Sequence, residues 1–263
     1  MRLYRNIVVA AFFSLVATSS AQDSTENGTQ TSAAAPTSAW SGSYSIDLKT
    51  KYFGSTVCAI FGDQIVAQQS FAVTRSFGDG KTTLTATVWN SSGFSEWFKN
   101  SAYETDVYFT ITRKIGEYVV AVSPWMQITY PGAGTDVPLL DTKVSRTFSN
   151  GTDTFEPFTE ISWFGTTNKV DYHGGVYPMA GANYTRKLSR RFAVASQFHE
   201  NYDANGGFGF RAGKSTFYGE VGLKIALSES FTITVPRISV GGSWNDPDRP
   251  IKTVWSMGLS KSF

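Results

Sequence analysis

The residues of this sequence best suited to chemistry are its two histidines and a set of charged side chains at alternate positions. Catalysis by a side chain needs a base beside a nucleophile, and a metal site needs paired ligands. His173 is followed by two glycines and His199 by Glu200. Neither histidine lies in a Gly-x-Ser-x-Gly sequence or at a paired metal-ligand spacing. The sequence therefore predicts no enzyme, no metal site and no cofactor.

The charged side chains recur two residues apart, as in the pairs Glu104 with Asp106 and Asp141 with Lys143. Alternate residues of a β-strand share one face, so this spacing predicts strands with one charged or polar face. We predict that this face lines the lumen of a barrel, where four basic and six acidic side chains lie. The predicted lumen-lining residues are Asp47, Lys49, Lys51, Glu104, Asp106, Asp141, Lys143, Glu160, Glu220 and Lys224.

Apolar residues occupy the remaining alternate positions. From Trp40 the sequence places Trp40, Tyr44, Ile46 and Leu48 on one side of a strand and serine, aspartate and lysine on the other. The same pattern, followed to the end, predicts twelve strands. These are 40–53, 64–77, 82–90, 103–113, 118–130, 139–148, 155–164, 176–188, 191–200, 216–227, 231–240 and 252–263. The Pro236-Arg237 step breaks the alternation, which makes a bulge plausible there.

The connections between these strands alternate between short and long, as in outer-membrane barrels. The first 21 residues have the charged start, apolar stretch and small terminal residues of a secretory signal peptide. Residues 22–39 contain no large apolar residue and are predicted to be a disordered periplasmic tether. Residues 40–263 then form an all-β, closed, antiparallel, up-and-down transmembrane barrel of about twelve strands. An even number of strands predicts that both termini are periplasmic.

Five strands end in the same short pattern, in which an apolar residue, a basic residue and another apolar residue share the lipid-facing side. Its copies are VTRSF, ITRKI, VSRTF, YTRKL and LSKSF, and a weaker copy is LKIAL. A cation there can reach phosphate while its stem lies in hydrocarbon. We predict a ring of lipid contacts at the periplasmic rim, although ordinary cations near turns would give the same pattern. The ring comprises Arg75, Arg113, Arg146, Arg186 and Lys261.

The last strand resembles that of Gram-negative outer-membrane β-barrels, which typically ends in Phe with apolar or aromatic residues at alternate positions before it. The matching residues here are Trp255, Met257, Leu259 and Phe263. The resemblance implies that they form an assembly signal for the barrel-assembly machinery, although Lys261 departs from the pattern. Lys51-Tyr52 followed by the segment DQIVAQQ at 63–69 also resembles the opening hairpin of small TorF-like porins.

The leading functional hypothesis is a narrow porin-like channel for ions or small polar solutes. A twelve-stranded barrel lies between filled eight-stranded barrels and open 16-stranded porins, and the acidic excess predicts a weak preference for cations. Membrane lipids and small solutes are the predicted partners. Removal of the signal leaves 21 basic and 21 acidic residues, so nucleic acid is not expected as a partner.

Three alternatives remain open at this stage. Salt bridges across the bore would give a partly plugged interior. A structural or adhesive barrel would act through its external loops, of which the glycine-rich loop 201–215 is the candidate surface. A lipid-modifying outer-membrane enzyme would need a histidine base at the lipid-facing rim.

Overall fold

The computed structural model describes residues 39–54, 59–62, 64–78, 80–93, 103–130, 136–165, 174–204 and 212–263. The predicted signal peptide and nearly all of the predicted tether lie outside these residues. The described chain consists of fifteen β-strands joined by turns and loops. The strands are β1 Trp40–Lys49, β2 Tyr52–Gly54, β3 Ala59–Gly62, β4 Val66–Ser76, β5 Thr82–Gly93, β6 Tyr103–Ile115, β7 Tyr118–Tyr130, β8 Val137–Arg146, β9 Phe148–Ser149, β10 Asp153–Phe164, β11 Gly175–Lys187, β12 Phe192–Asp203, β13 Lys214–Ala226, β14 Phe231–Gly242 and β15 Lys252–Ser262.

Twelve of these strands form a closed antiparallel barrel in which each strand pairs with its neighbours in the chain. Strands β2 and β3 form a separate two-stranded sheet, and the two-residue β9 continues the pairing of β8 with β10. The first barrel strand, β1, pairs with the last, β15, from Ser43 opposite Ser262 to Lys49 opposite Ser256. Phe263 extends this seam, because its backbone exchanges two hydrogen bonds with Gly42. The predicted twelve-stranded, up-and-down barrel is confirmed.

The outer surface carries the large apolar side chains and the interior carries the polar ones. On β6, for example, Phe109 and Ile111 are 49% and 54% exposed to the outside, whereas Glu104 and Asp106 are buried inside. The same alternation continues through β15, where Trp255, Met257 and Leu259 point outward. An outer surface of this kind is stable in lipid, where apolar side chains need no water. The period of two in the sequence therefore gives the correct side for most residues of these strands.

Short and long connections lie at opposite ends of the barrel. The short-turn end carries links such as 116–117 and 227–230, and the long-loop end carries links such as 204–213 and 243–251. Within the residues that the structure describes, no helix is long and apolar enough to span a bilayer.

Two sequence-based ranges differ clearly from the structure. Strand 40–53 is too long, since β1 ends at Lys49 and Lys51 lies in the link to β2. The predicted loop 201–215 is too long, since β12 continues to Asp203 and β13 begins at Lys214. In each case the deciding factor is pairing with a neighbouring strand, which a local pattern does not record. The bulge near Pro236, in contrast, is present, because β14 has one extra residue between Thr234 and Arg237.

Two glycines on adjacent parts of the wall offer a test of this packing. A methyl group on the inward Gly181 would overlap the backbone carbonyl of Phe198 and the side chain of His199. A methyl group on the outward Gly219 would meet its nearest neighbour, the ring of Phe198, at an ordinary 3.8 Å. We expect Gly181→Ala to lower the free energy of unfolding by about 1–3 kcal/mol and Gly219→Ala to change it by less than about 0.5 kcal/mol. Denaturant unfolding in detergent micelles measures both, and equal effects would contradict the assigned faces.

Candidate functional site in the barrel interior

The side chains predicted to line the lumen lie on the inner faces of their strands, except for Lys51, which lies beyond the end of β1. The inward set comprises Asp47 and Lys49 on β1, Glu104 and Asp106 on β6, Asp141 and Lys143 on β8, Glu160 on β10, and Glu220 and Lys224 on β13. Their placement agrees with the alternation, and their role in transport stays a prediction. They form two groups on different parts of the wall.

The first group surrounds Arg237 of β14, a residue that the sequence did not assign to the lumen. Its Nη2 lies 2.5 Å from Asp47 Oδ1, and its Nε donates a hydrogen bond of 2.9 Å to Ser256 Oγ. Glu220 Oε2 lies 3.8 Å from the same Nε and accepts hydrogen bonds from the hydroxyls of Tyr218, at 2.6 Å, and Ser239, at 3.0 Å. One guanidinium therefore joins carboxylates of β1 and β13 across two intervening strands.

The bulge in β14 and a glycine in β15 make this contact possible. The extra residue in β14 keeps Arg237 inward although Thr234, three positions earlier, also faces inward. Gly258 lies opposite Asp47 on the strand between β1 and β14, and a Cβ at that position would overlap the Asp47 carboxylate. Because glycine has no side chain, Asp47 can extend over β15 toward Arg237. A period of two read through residue 236 without the bulge would turn Arg237 toward lipid.

The second group is a wall of carboxyl groups on β6, β8 and β10, which we call the acidic wall. It comprises Glu104, Asp106, Asp141 and Glu160, with Lys143 as the basic residue among them. Tyr108 donates a 2.8 Å hydrogen bond to Asp106, and Trp125 Nε1 donates one of 2.7 Å to Asp141. The rings of Tyr108 and Trp125 stack with their centroids 4.7 Å apart. These two rings hold the carboxyl groups of Asp106 and Asp141 in place.

Aromatic contacts join the two groups across the interior. His199 stacks on Tyr218 with centroids 5.1 Å apart, and its other neighbour Phe158 lies 6.4 Å away. Lys143 Nζ lies over the ring of Phe158, 4.1 Å from its centroid, in a cation–π contact. Gly181 lies on the strand between Phe158 and His199. Because it has no side chain, it leaves room for the rings of Phe158 and His199 to meet. His199 thus packs inside the barrel and is 2% exposed, so it does not lie at the lipid-facing rim.

The link between β1 and β4 also reaches the interior. Tyr52 of β2 is 5% exposed, and its hydroxyl donates a hydrogen bond to Glu104 of the acidic wall. Its ring lies 6.3 Å from that of the inward Trp89. The sequence predicted residue 52 at the end of a barrel strand, whereas the structure uses it to cover part of the bore. Cys58, in the same link, lies outside the described residues.

The β14–β15 loop, residues 243–251, is anchored inside the long-loop end by Arg249. Arg249 is 1% exposed, and its Nε donates a 2.8 Å hydrogen bond to Asp246 Oδ2. Its Nη1 donates one of 3.3 Å to Asp203, which also accepts a 3.0 Å hydrogen bond from the Tyr177 hydroxyl. A further hydrogen bond runs from Ser243 Oγ to the carbonyl of Ser215. No local pattern indicates the buried ion pair of Arg249 with Asp203, because the two residues lie 46 positions apart.

The two halves of the interior differ in packing. At the long-loop end, Val137, Leu139, Phe164 and Tyr177 form a buried apolar cluster against Trp125. At the short-turn end most inward side chains are half-buried or exposed, and the exposed ones include Lys114, Lys187, Lys224 and Ser260. The interior is therefore a polar vestibule that narrows toward a packed layer of charged and aromatic side chains.

The basic residues predicted for the rim all point outward near the short-turn end. Arg75 lies over the ring of Trp40 at 5.3 Å, and Arg146 forms an ion pair with Glu117. Arg186 lies 3.9 Å from Asp153. Arg113 and Lys261 are exposed. Contact of this ring with phospholipid, and recognition of Trp255, Met257, Leu259 and Phe263 by assembly machinery, stay predictions.

In the described part of the chain, no three His, Cys, Asp or Glu side chains are arranged to hold a metal ion. His173 lies outside the described residues. Among the described interior residues, those that sequence reasoning missed include Arg237, Arg249, Tyr52 and Asp203. The Pro236 break gave a partial signal for the first of them, whereas the others depend on contacts between distant segments.

Arg249 provides a test of the anchored loop. We expect Arg249→Gln to leave two buried carboxylates without their cation and to lower the free energy of unfolding by about 3–5 kcal/mol. Lys252→Gln is the matched control, because Lys252 is exposed just beyond the loop, and should change stability by less than about 0.5 kcal/mol. Urea unfolding in micelles compares the two, and similar midpoints would show that the loop is not held by this ion pair.

No protein-family model and no curated protein sequence matches this chain. Solved structures do match, among them an outer-membrane channel from Pseudomonas putida F1 with a TM-score of 0.57 and 10% identity, over 88% of this chain and 97% of that one. The NanC porin matches with a TM-score of 0.52 and 11% identity over 83% and 98% of the two chains. A bacterial polysaccharide outer-membrane secretin matches with 0.51 and 6% identity over 85% and 98%. This chain therefore has the fold of an outer-membrane β-barrel, and its resemblance to TorF-like porins stays a prediction.

Proposed function

We propose that this protein is a narrow, weakly cation-preferring channel for ions or small polar solutes in a bacterial outer membrane, with both termini in the periplasm. The observation that carries the proposal is the acidic wall. Four carboxyl groups on β6, β8 and β10 face the bore beside a single amine, Lys143. Rings of acidic side chains favour cations in channels.

The opposite part of the wall does not reverse this preference. Arg237 is held between Asp47 and Glu220, so its charge is balanced by two carboxylates. Lys49 lies next to the same carboxylates. The likeness in fold to solved outer-membrane channels supports transport as the general class of function.

The packed long-loop half supports a second candidate, a non-conducting structural barrel that acts through its loops. Tyr52 and Arg249 both enter this half from connections between strands and are almost completely buried. These segments occupy part of the bore at this end. The first measurement must therefore distinguish conduction from silence.

Planar-bilayer recording of the refolded protein provides that measurement. We expect small single-channel currents and, under a KCl gradient, a reversal potential that indicates preference for K⁺ over Cl⁻. Asp141→Asn combined with Glu160→Gln should lower the K⁺/Cl⁻ permeability ratio by about twofold, because the wall loses two acidic groups. Arg237→Gln should shift the ratio in the opposite direction.

Glu229→Gln is the control, since Glu229 is exposed in the short β13–β14 turn. It removes one acidic group without changing the bore, so selectivity should stay the same. Preference for anions in the unmodified protein would contradict the proposal. Complete silence of a correctly folded barrel would favour the non-conducting alternative.

A further inference from the structure

Three basic residues lie close together at the short-turn end of the bore, on the wall formed by β11, β12 and β13. Lys187 of β11 and Lys224 of β13 belong to the same row, since each is paired with Ala193 on the strand between them. Arg191 precedes Ala193 by two positions, and its carbonyl accepts a 2.8 Å hydrogen bond from the amide of Ala226. Alternate residues share a face, so Arg191 occupies the next inward position toward the opening. We call Lys187, Arg191 and Lys224 the basic mouth.

The residues between the two lysines of the basic mouth are small. Ala193 separates the lysines, and the next inward row consists of Thr185, Ala195 and Gly222. The Cα atoms of the two lysines are two strands apart, which corresponds to about 10 Å. Because no large side chain stands between them, both amines can reach one small ligand. The hydroxyl groups of Thr185 and of Thr234, which pairs with the second lysine, add hydrogen-bond donors beside this space.

The three cations of the basic mouth have no carboxylate partner among the described residues. Each is exposed, and none takes part in an ion pair within that part of the chain. Glu220 lies four positions before Lys224, about 13 Å along the strand, and is held by Arg237 and two hydroxyls. Glu156 belongs to the same row as Glu220 and accepts a 3.2 Å hydrogen bond from Asn183. The basic mouth therefore has an unbalanced positive charge.

This charge favours a ligand with more than one negative charge. A phosphate group carries a charge of about −1.5 to −2 at neutral pH and has three strong acceptor oxygens. Lysine and arginine donate charge-assisted hydrogen bonds to such oxygens from several directions. A single carboxylate would offset less of the charge and offer fewer acceptors. The arrangement of two amines, one guanidinium and neighbouring hydroxyls thus matches a phosphate group.

We infer that the basic mouth binds the phosphate group of a small, water-soluble phosphate ester. The amines of Lys187 and Lys224 contact the phosphate from two sides, Arg191 contacts it from the opening, and the threonine hydroxyls contact the rest of the ligand. A soluble ester fits better than a phospholipid, because these residues face the bore and not the outer surface. Binding at this site does not require that the barrel conduct ions.

Nuclear magnetic resonance spectra of the refolded, ¹⁵N-labelled protein in a neutral detergent test this inference. Glycerol 3-phosphate replaces sodium chloride at constant ionic strength, and the amide signals of Lys187, Ala193 and Lys224 should shift with a Kd of about 1 mM. Lys187→Gln and Lys224→Gln should each weaken binding about fivefold, because each removes one contact between opposite charges. Ala193→Glu should abolish binding, because its carboxylate would occupy the space between the two amines.

The controls remove exposed cations from other positions. Arg113→Gln removes an outward cation from the same end of the barrel, and Lys252→Gln removes a lysine near the long-loop end. Both should bind glycerol 3-phosphate like the unmodified protein, and the heat-dependent gel shift of each variant checks that the barrel is folded.

The possible results separate this site from its alternatives. The absence of saturable shifts, or an unchanged Kd in both lysine variants, would overturn the inference. Saturation by phosphatidylglycerol but not by glycerol 3-phosphate would overturn the choice of a soluble ligand. A barrel that binds glycerol 3-phosphate but is silent in planar bilayers would contradict the proposed channel and support this site.

Discussion

Closure of the sheet is the constraint on which the rest of this structure depends. A bilayer offers no hydrogen-bond partners to the backbone, so a sheet can span it only if no strand edge is left open. Here β1 meets β15, and Phe263 extends the seam by its backbone hydrogen bonds to Gly42. Once the ring is closed, each side chain has one of two environments, lipid or interior. Each strand therefore has an apolar face toward lipid and a polar face toward the interior.

Closure with twelve strands leaves an interior that side chains nearly fill at one end. Small residues on intervening strands let side chains of non-adjacent strands meet, as Gly258 does for Asp47 and Arg237 and Gly181 does for Phe158 and His199. Segments from two connections add Tyr52 and Arg249 to the same layer. The result is a polar vestibule on one side and a layer of charged and aromatic side chains on the other. This layer, rather than the diameter of the barrel, limits the free space at the long-loop end.

The outward side chains of the strands are mostly apolar, and the few charged ones lie near the two ends of the barrel. The outward cations lie at the short-turn end, where water and phosphate are within reach, and two of them are paired with carboxylates. Glu200 lies toward the other end, next to exposed rings. Unlike the charged residues of the bore, these groups lie on the outward faces of their strands. The two ends of the barrel thus present different chemistry to lipid.

The sequence by itself determined the fold class, the number of strands and the side on which most residues lie. These properties are local, because a period of two assigns alternate residues to opposite faces whatever the neighbouring strand is. The ends of the strands were less well predicted, as Lys51 and Asp203 show, because an end depends on where the partner strand stops. The tertiary structure alone decided the inward position of Arg237 and the anchoring of the β14–β15 loop by Arg249. Each of these is formed by segments far apart in the chain, and only closure of the barrel brings them into contact.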